Sequence, residues 1–153
     1  MGIASDVTLW AFGNRRLMRA PIPLFRAGLG FLAAGRFVMV EHRGRRTGLP
    51  RQVVVEVVAR EPGAIRVMSG KGRRAQWFRN ISADPHVRLW FGTHRGVPAV
   101  ARVLTPAEAA ETFADVRRRY GRLWPWLEGV LGRFAGAGGP VDQEIPVVEL
   151  TFG

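Results

Sequence analysis

HRGRRTGLPRQVVVEVVA, residues 42 to 59, sets a basic, glycine-containing turn directly against a run so rich in valine that both of its faces need cover. A strand over Phe37–Glu41 leads into the turn and a second over Gln52–Ala59 leaves it, with Gly44 and Gly48 relaxing the backbone and Pro50 expected to stop pairing. Arg43, Arg45, Arg46 and Arg51 then converge on a small volume. A guanidinium is a planar fork that stays charged at any working pH and grips phosphate or carboxylate through paired hydrogen bonds. The turn therefore reads either as an anion clamp or as a solvated hairpin tip whose charges guard a sheet edge.

Further strands are expected at Ala64–Ser69, Val87–Phe91, Ala99–Leu104 and Ile145–Phe152, the third and fourth of the series being parted by a glycine-rich loop and a short helix ending before Pro85. Thr105, Pro106 and Glu108 form a capping box with proline at the first helical position, predicting a helix to about Tyr120 that turns Ala109, Phe113 and Val116 inward. A shorter helical piece is expected over Trp124–Leu131, then a glycine-rich linker from Gly136 to Gly139. Short strands with segregated helices give an α+β fold, an antiparallel β-barrel of about six strands with helices packed outside. The 153 residues divide into an N-terminal amphipathic helical segment, 1–36, and a barrel, 37–153, within a single domain. Arg26 and Arg36 break the apolar runs of the first segment, so it packs on the barrel or lies in a membrane interface and does not span one.

The net charge of +11 raises nucleic acid as a partner, but the arginines form no single stripe and no docking motif accompanies them. Lys71 is the only lysine among 23 basic residues, which is as well explained by coding bias toward arginine. With no cysteine there is no disulfide, thiolate nucleophile or sulfur-ligated metal site. His42, His86 and His94 stand at no metal-ligand spacing and read as strand or surface residues, and no GxSxG elbow anchors a hydrolase triad. Redox chemistry here needs a bound cofactor. Glu56 interrupts the valine run, so it either pairs with an arginine, the preferred reading, or faces a cavity.

The second constellation is SGKGRR, residues 69–74, opening into QWFRN, residues 76–80. Glycines leaving a strand and entering a helix expose backbone donors at the positive end of a helix dipole, although neither a Walker loop nor a dinucleotide fingerprint is present. The two constellations would face each other across a groove. The alternative is a surface turn whose Trp77 staples the helix to the core.

GRRTGLPR with its valine strand, VMSGKG, QWFRNISADPHV, the TPAEA helix leading to RRYGRLWPW, and the closing IPVVEL together resemble the deazaflavin-dependent nitroreductase and quinone-reductase family. The resemblance runs from about Phe37 to Leu150. It implies the flavin-binding split β-barrel fold and coenzyme F420, a deazaflavin carrying a phosphate and a polyglutamate tail, with FMN as the alternative cofactor. Arg45, Arg46, Thr47 and Gly48 would then hold the phosphate and acidic tail, with Lys71 nearby, and Arg51, Gln52 and Val53 would line the ring. Met68, Ser69, Gln76, Trp77, Phe78, Arg79 and Asn80 would complete the cofactor wall. Ser69 and Tyr120 are the candidates beside the reacting atoms, and Glu56, Tyr120, Leu123, Trp124 and Trp126 the candidates for the acceptor pocket. A family member of this kind transfers hydride to an acceptor, and the scarcity of tyrosine turns the expectation from nitro compounds to an apolar quinone, enone or unsaturated biosynthetic intermediate. The same reading implies a cytoplasmic enzyme with room for peripheral membrane contact and a homodimer, and with no metal or nucleic-acid partner.

Overall fold

The computed structural model describes residues 22–30, 35–126, 128–129 and 145–153. Most of the expected N-terminal segment, part of the Trp124–Leu131 piece and the Gly136–Gly139 linker lie outside them. Six strands, β1 (Phe37–Arg43), β2 (Pro50–Glu61), β3 (Ala64–Met68), β4 (His86–Phe91), β5 (His94–Val103) and β6 (Val147–Thr151), close into a barrel in the order β1-β2-β3-β6-β5-β4. Each neighbouring pair is antiparallel.

Alternation along the strands builds the interior. Val38 and Val40 of β1, Val53, Val55 and Val57 of β2, Ile65 and Val67 of β3, Val87 and Leu89 of β4, and Val148 and Leu150 of β6 share one core. The intervening residues of the valine run are covered from outside, as their density requires. Val54 packs with Phe25 of the short helix α1 (Ile22–Arg26), and Val58 packs beneath α3 (Pro106–Tyr120). A bulge between Val57 and Ala59 lets β2 change direction between these two covers.

Two boundaries differ from expectation. Pro50 does not end pairing but begins β2 opposite Arg43, a position where its missing N–H costs little because it is the first residue of the strand. β5 starts at His94, five residues before the alanine-rich part, because the tight turn at Gly92 (φ +56°) folds it straight back on β4. The capping box at Thr105 is present in both directions, and α3 turns Ala109, Phe113 and Val116 onto the barrel as expected.

The helix α2 (Gln76–Ala83) carries the chain from β3 to β4 across the barrel end where β1 stops and β2 begins. Rather than packing outside, it sends Trp77, Phe78 and Ile81 into the barrel core. Its polar residues Gln76 and Asn80 meet the basic turn.

Candidate active site

The basic turn is an ordered six-residue loop. The Gly44 amide donates to the Leu49 carbonyl at 2.9 Å and the Gly48 amide to the Gly44 carbonyl at 2.8 Å, with Gly48 at φ +70° where a side chain would be strained. The Thr47 hydroxyl accepts from the Leu49 amide at 3.3 Å. Arg45 is pinned to α2 three times over. Its backbone amide donates to Asn80 Oδ1 at 3.1 Å, and its Nη1 donates to Asn80 Oδ1 and to Gln76 Oε1, both at 2.9 Å. The turn and the helix are therefore in direct contact through these side chains.

His42 lies behind this contact. It occupies an inward register position on β1 opposite Arg51, is 5 % exposed, and has its Nδ1 3.1 Å from Asn80 Nδ2. Because Asn80 Oδ1 already accepts from Arg45, Nδ2 is the donor and Nδ1 the acceptor, so the imidazole is neutral with its proton on Nε2. Burial first, and then the Arg51 charge, push its pKa down to about 4 against a smaller upward pull from Glu41. His42 is a strand residue, as expected, but a buried one. Its buried role rests on register at the barrel end, for which an isolated histidine carries no signal.

The Ser69 loop is closed upon itself. The Ser69 hydroxyl donates to the Gly72 carbonyl at 2.6 Å, and the Gly72 amide returns to the Ser69 carbonyl at 2.8 Å. Ser69 is fully buried, so its hydroxyl shapes the loop that presents Lys71 instead of reaching a ligand. Lys71, Arg73, Arg74 and Arg79 are exposed around α2, as are Arg45, Arg46 and Arg51. This donor set, several guanidinium groups and an ammonium at one end of a barrel, fits a phosphorylated and polyacidic cofactor.

The remaining expected wall residues divide. Val53 and Met68 sit in the hydrophobic clusters, and Trp77 and Phe78, 8 % and 6 % exposed, pack in the barrel core 6.2 Å apart edge to face. They hold α2 in place and are not themselves a wall for a ligand. Gln52 points to the outer face of β2 and donates to Glu41 at 2.9 Å.

At the other end of the β1–β2 ladder, Glu56 stands opposite Phe37. Tyr120 donates its hydroxyl to Glu56 Oε1 at 3.0 Å, and both line a cavity of about 590 Å³ with Gly35, Arg36, Arg60 and Arg119. Glu56 thus faces a cavity, and its hydrogen-bond partner here is Tyr120 where an arginine was expected. Burial first and the Glu56 carboxylate second raise the Tyr120 hydroxyl above the usual phenol range. Of the other pocket candidates, Leu123 is 64 % exposed and outside this cavity. Trp124 is buried against Phe113 with Arg117 over its ring, and Trp126 is half-buried. Trp124 is therefore core packing and does not line this cavity.

Among the described residues there is no cluster of histidine and acid side chains able to hold a metal ion, and no helix long and apolar enough to cross a membrane.

Known proteins resemble this chain in sequence and in fold. A family model described as F420H(2)-dependent quinone reductase matches residues 25–150. The Mycobacterium tuberculosis protein Rv3178, provisionally named an F420H(2)-dependent quinone reductase, is 26 % identical over 127 residues, covering 82 % of this chain and 97 % of that protein. A solved F420-H2 dependent reductase, FDR-A, superposes with a TM-score of 0.55 at 24 % identity over 75 % of this chain and 93 % of its own. A Clostridium acetobutylicum protein of the pyridoxinephosphate oxidase family superposes with a TM-score of 0.52 at 11 % identity, over 85 % of this chain and 84 % of its own. These superpositions identify the barrel as the split-barrel fold. The family match over five-sixths of the chain, with the relative that covers the same stretch, identifies the protein as a member of the F420H(2)-dependent quinone reductase family, an F420-dependent oxidoreductase.

Proposed function

We propose that this chain is a cytoplasmic reductase that binds reduced coenzyme F420 at the Arg45–Asn80 clamp and reduces a quinone-type acceptor held toward the Glu56–Tyr120 end of β2. The cofactor supplies the hydride. The protein's part is to bind, orient and stabilise charge, which in reactions of this class is worth more than acid–base machinery.

The observation that carries the reading is Arg45. A surface arginine normally loses several rotamers on binding an anion, whereas this one is already held by two side chains of α2 while its residue remains exposed. Arg46, Arg51 and Lys71 supplement it. Tyr120, kept protonated and oriented by Glu56, offers a polar contact at the acceptor end, and solvent supplies the product proton.

Titration with F420, followed by quenching of its fluorescence, tests this directly. Arg45→Ala combined with Arg51→Ala should weaken binding more than about tenfold, since each charge-assisted hydrogen bond is worth about 1.5–3 kcal/mol. Unchanged affinity refutes the clamp, and micromolar FMN binding without an F420 effect replaces the cofactor. Leu24 and Leu29, exposed on and just after α1, support peripheral membrane contact, which Leu24→Glu should weaken in liposome sedimentation. A homodimer is the assembly we expect, and sedimentation equilibrium decides it.

A further inference from the structure

The cavity at the Glu56 end is not the apolar slot that a plain quinone requires. Of the eight residues lining it, three are arginines and one is a carboxylate. The carboxylate is engaged, since Glu56 accepts from Tyr120 at 3.0 Å. The arginines are tethered at its edge. Arg60 donates Nη2 to the Gly35 carbonyl at 2.8 Å, Arg119 donates Nη2 to the Val58 carbonyl, and Arg36 lines the cavity with Tyr120. The Arg36 backbone is held through its carbonyl, which accepts from the Val57 amide at 2.8 Å. A guanidinium has five N–H donors, and one or two backbone contacts leave the others to serve a guest while removing the entropy of holding the fork still.

From this we infer that the acceptor carries a permanent anionic group, a carboxylate by preference, recognised by Arg36, Arg60 and Arg119. The inference rests on the proposed F420 reading and adds the chemical class of the acceptor to it. Three fixed cations exceed what one developing oxyanion on a reduced quinone or enone needs. A neutral acceptor entering here would also leave guanidinium groups partly desolvated without a partner, at a cost that favours an anion over its neutral isostere. The cavity volume of about 590 Å³ accommodates a ring with a short acidic arm. The cofactor's own acidic tail is the other source of carboxylate. Its phosphate separates ring from tail, so with the phosphate at the Arg45 clamp the tail leaves the protein on the clamp side, whereas the arginine cavity lies six residues down the ladder at the Phe37–Glu56 pair.

The test uses the full chain, reduced F420, and two acceptors of equal ring potential, a 1,4-naphthoquinone bearing a 2-propionate arm and its methyl ester. The native protein should show a KM for the acid at least about tenfold below that for the ester at similar kcat, one charged hydrogen-bonded contact being worth about that factor. Arg60→Met, which keeps the aliphatic stem, should bring the ratio of the two KM values toward one, and Arg60→Lys should restore part of it. Equal KM values for acid and ester in the native chain overturn the inference, as does a loss of kcat on both acceptors without a change in their KM ratio, which would assign the arginines to a developing oxyanion. A loss of affinity in Arg60→Met for tailed F420 that is absent for the tail-less deazaflavin would assign them to the cofactor tail instead. Fluorescence titration of native protein keeps the two levels apart: F420 binding with equal KM values removes the acceptor class alone, and no F420 binding removes the cofactor reading with it.

Discussion

Asn80 Nδ2 donates to His42 Nδ1 across 3.1 Å of buried space, and through that bond the orientation of one amide is set by a buried histidine. An asparagine amide can rotate by half a turn with little change in shape. Here the histidine acceptor on one side and the Arg45 donors on the other leave a single satisfied orientation.

Asn80→Leu keeps the volume of the side chain while deleting both acceptor contacts to Arg45. The variant should fold, since Trp77, Phe78 and Ile81 still seat α2, yet bind F420 about ten- to a hundredfold more weakly, the range expected for contacts to a charged group. Fluorescence titration beside a circular dichroism melt separates the two properties, and undiminished affinity would show that Arg45 is placed by other means.

The His42 pKa of about 4 makes stability depend on pH in one direction. The unfolded chain, with an ordinary imidazole near 6.5, binds more protons than the folded one between these values. The contribution is therefore complete above about pH 6.5 and is lost progressively as pH falls through 4. Urea midpoints should decline over that window in the native protein and decline less in His42→Asn, which keeps an acceptor but cannot titrate. Parallel declines would place the proton elsewhere.

Gly44 is kept small by Thr47. A Cβ at Gly44 would stand 2.6 Å from the Thr47 hydroxyl, the group that accepts from the Leu49 amide. Gly44→Ala should cost about 1 kcal/mol by overpacking and loosen F420 binding, and adding Thr47→Ala should recover part of the stability. If the double variant is no better than the sum of the two single changes, the clash does not govern the turn.

Thr105→Ala removes half of the capping box at the start of α3. The loss should be about 1 kcal/mol in chemical denaturation. Glu108, whose pKa is pulled down to about 2 chiefly by its hydrogen bonds with Arg102 and then with the Thr105 backbone, stays bonded to Arg102 at 2.8 Å in the variant. A loss above about 3 kcal/mol would mean that the cap also secures the packing of Phe113.

Local signals carried much of this molecule. The dense valine run, the glycine-containing turn before it and the Thr105–Glu108 box are each complete within a few residues, so strands, hairpin and helix were legible without the fold. The arginines of the basic turn suggest an anion grip from sequence alone because guanidinium chemistry needs no partner to be recognised, and the F420 titrations decide between that reading and a solvated hairpin tip. What stayed hidden depended on closure of the barrel. Glu56 meets Tyr120 across 64 positions, and Arg66 meets Glu149 across 83 at 3.0 Å, contacts that exist only after β2, β3 and β6 are neighbours. Phe78 looks like a ligand-facing aromatic in a glycine-rich context, while for Trp77 the alternative of a staple to the core is already open, and the seating of α2 in the barrel end turns both inward. Ser69 similarly reads as an available hydroxyl until the Gly72 carbonyl is found beneath it.

The β1–β2 ladder, with Arg43 opposite Pro50 at one end and Phe37 opposite Glu56 at the other, is also a ruler. It fixes the span between the two cationic grips by counting residues, at about 3.3 Å each, and it cannot be shortened by one without turning Glu56 from the outer face into the valine core. Evolution or engineering can therefore change this enzyme's reach only in steps of two residues, and a relative that lacks such a pair would match its cofactor grip to an acceptor of different length.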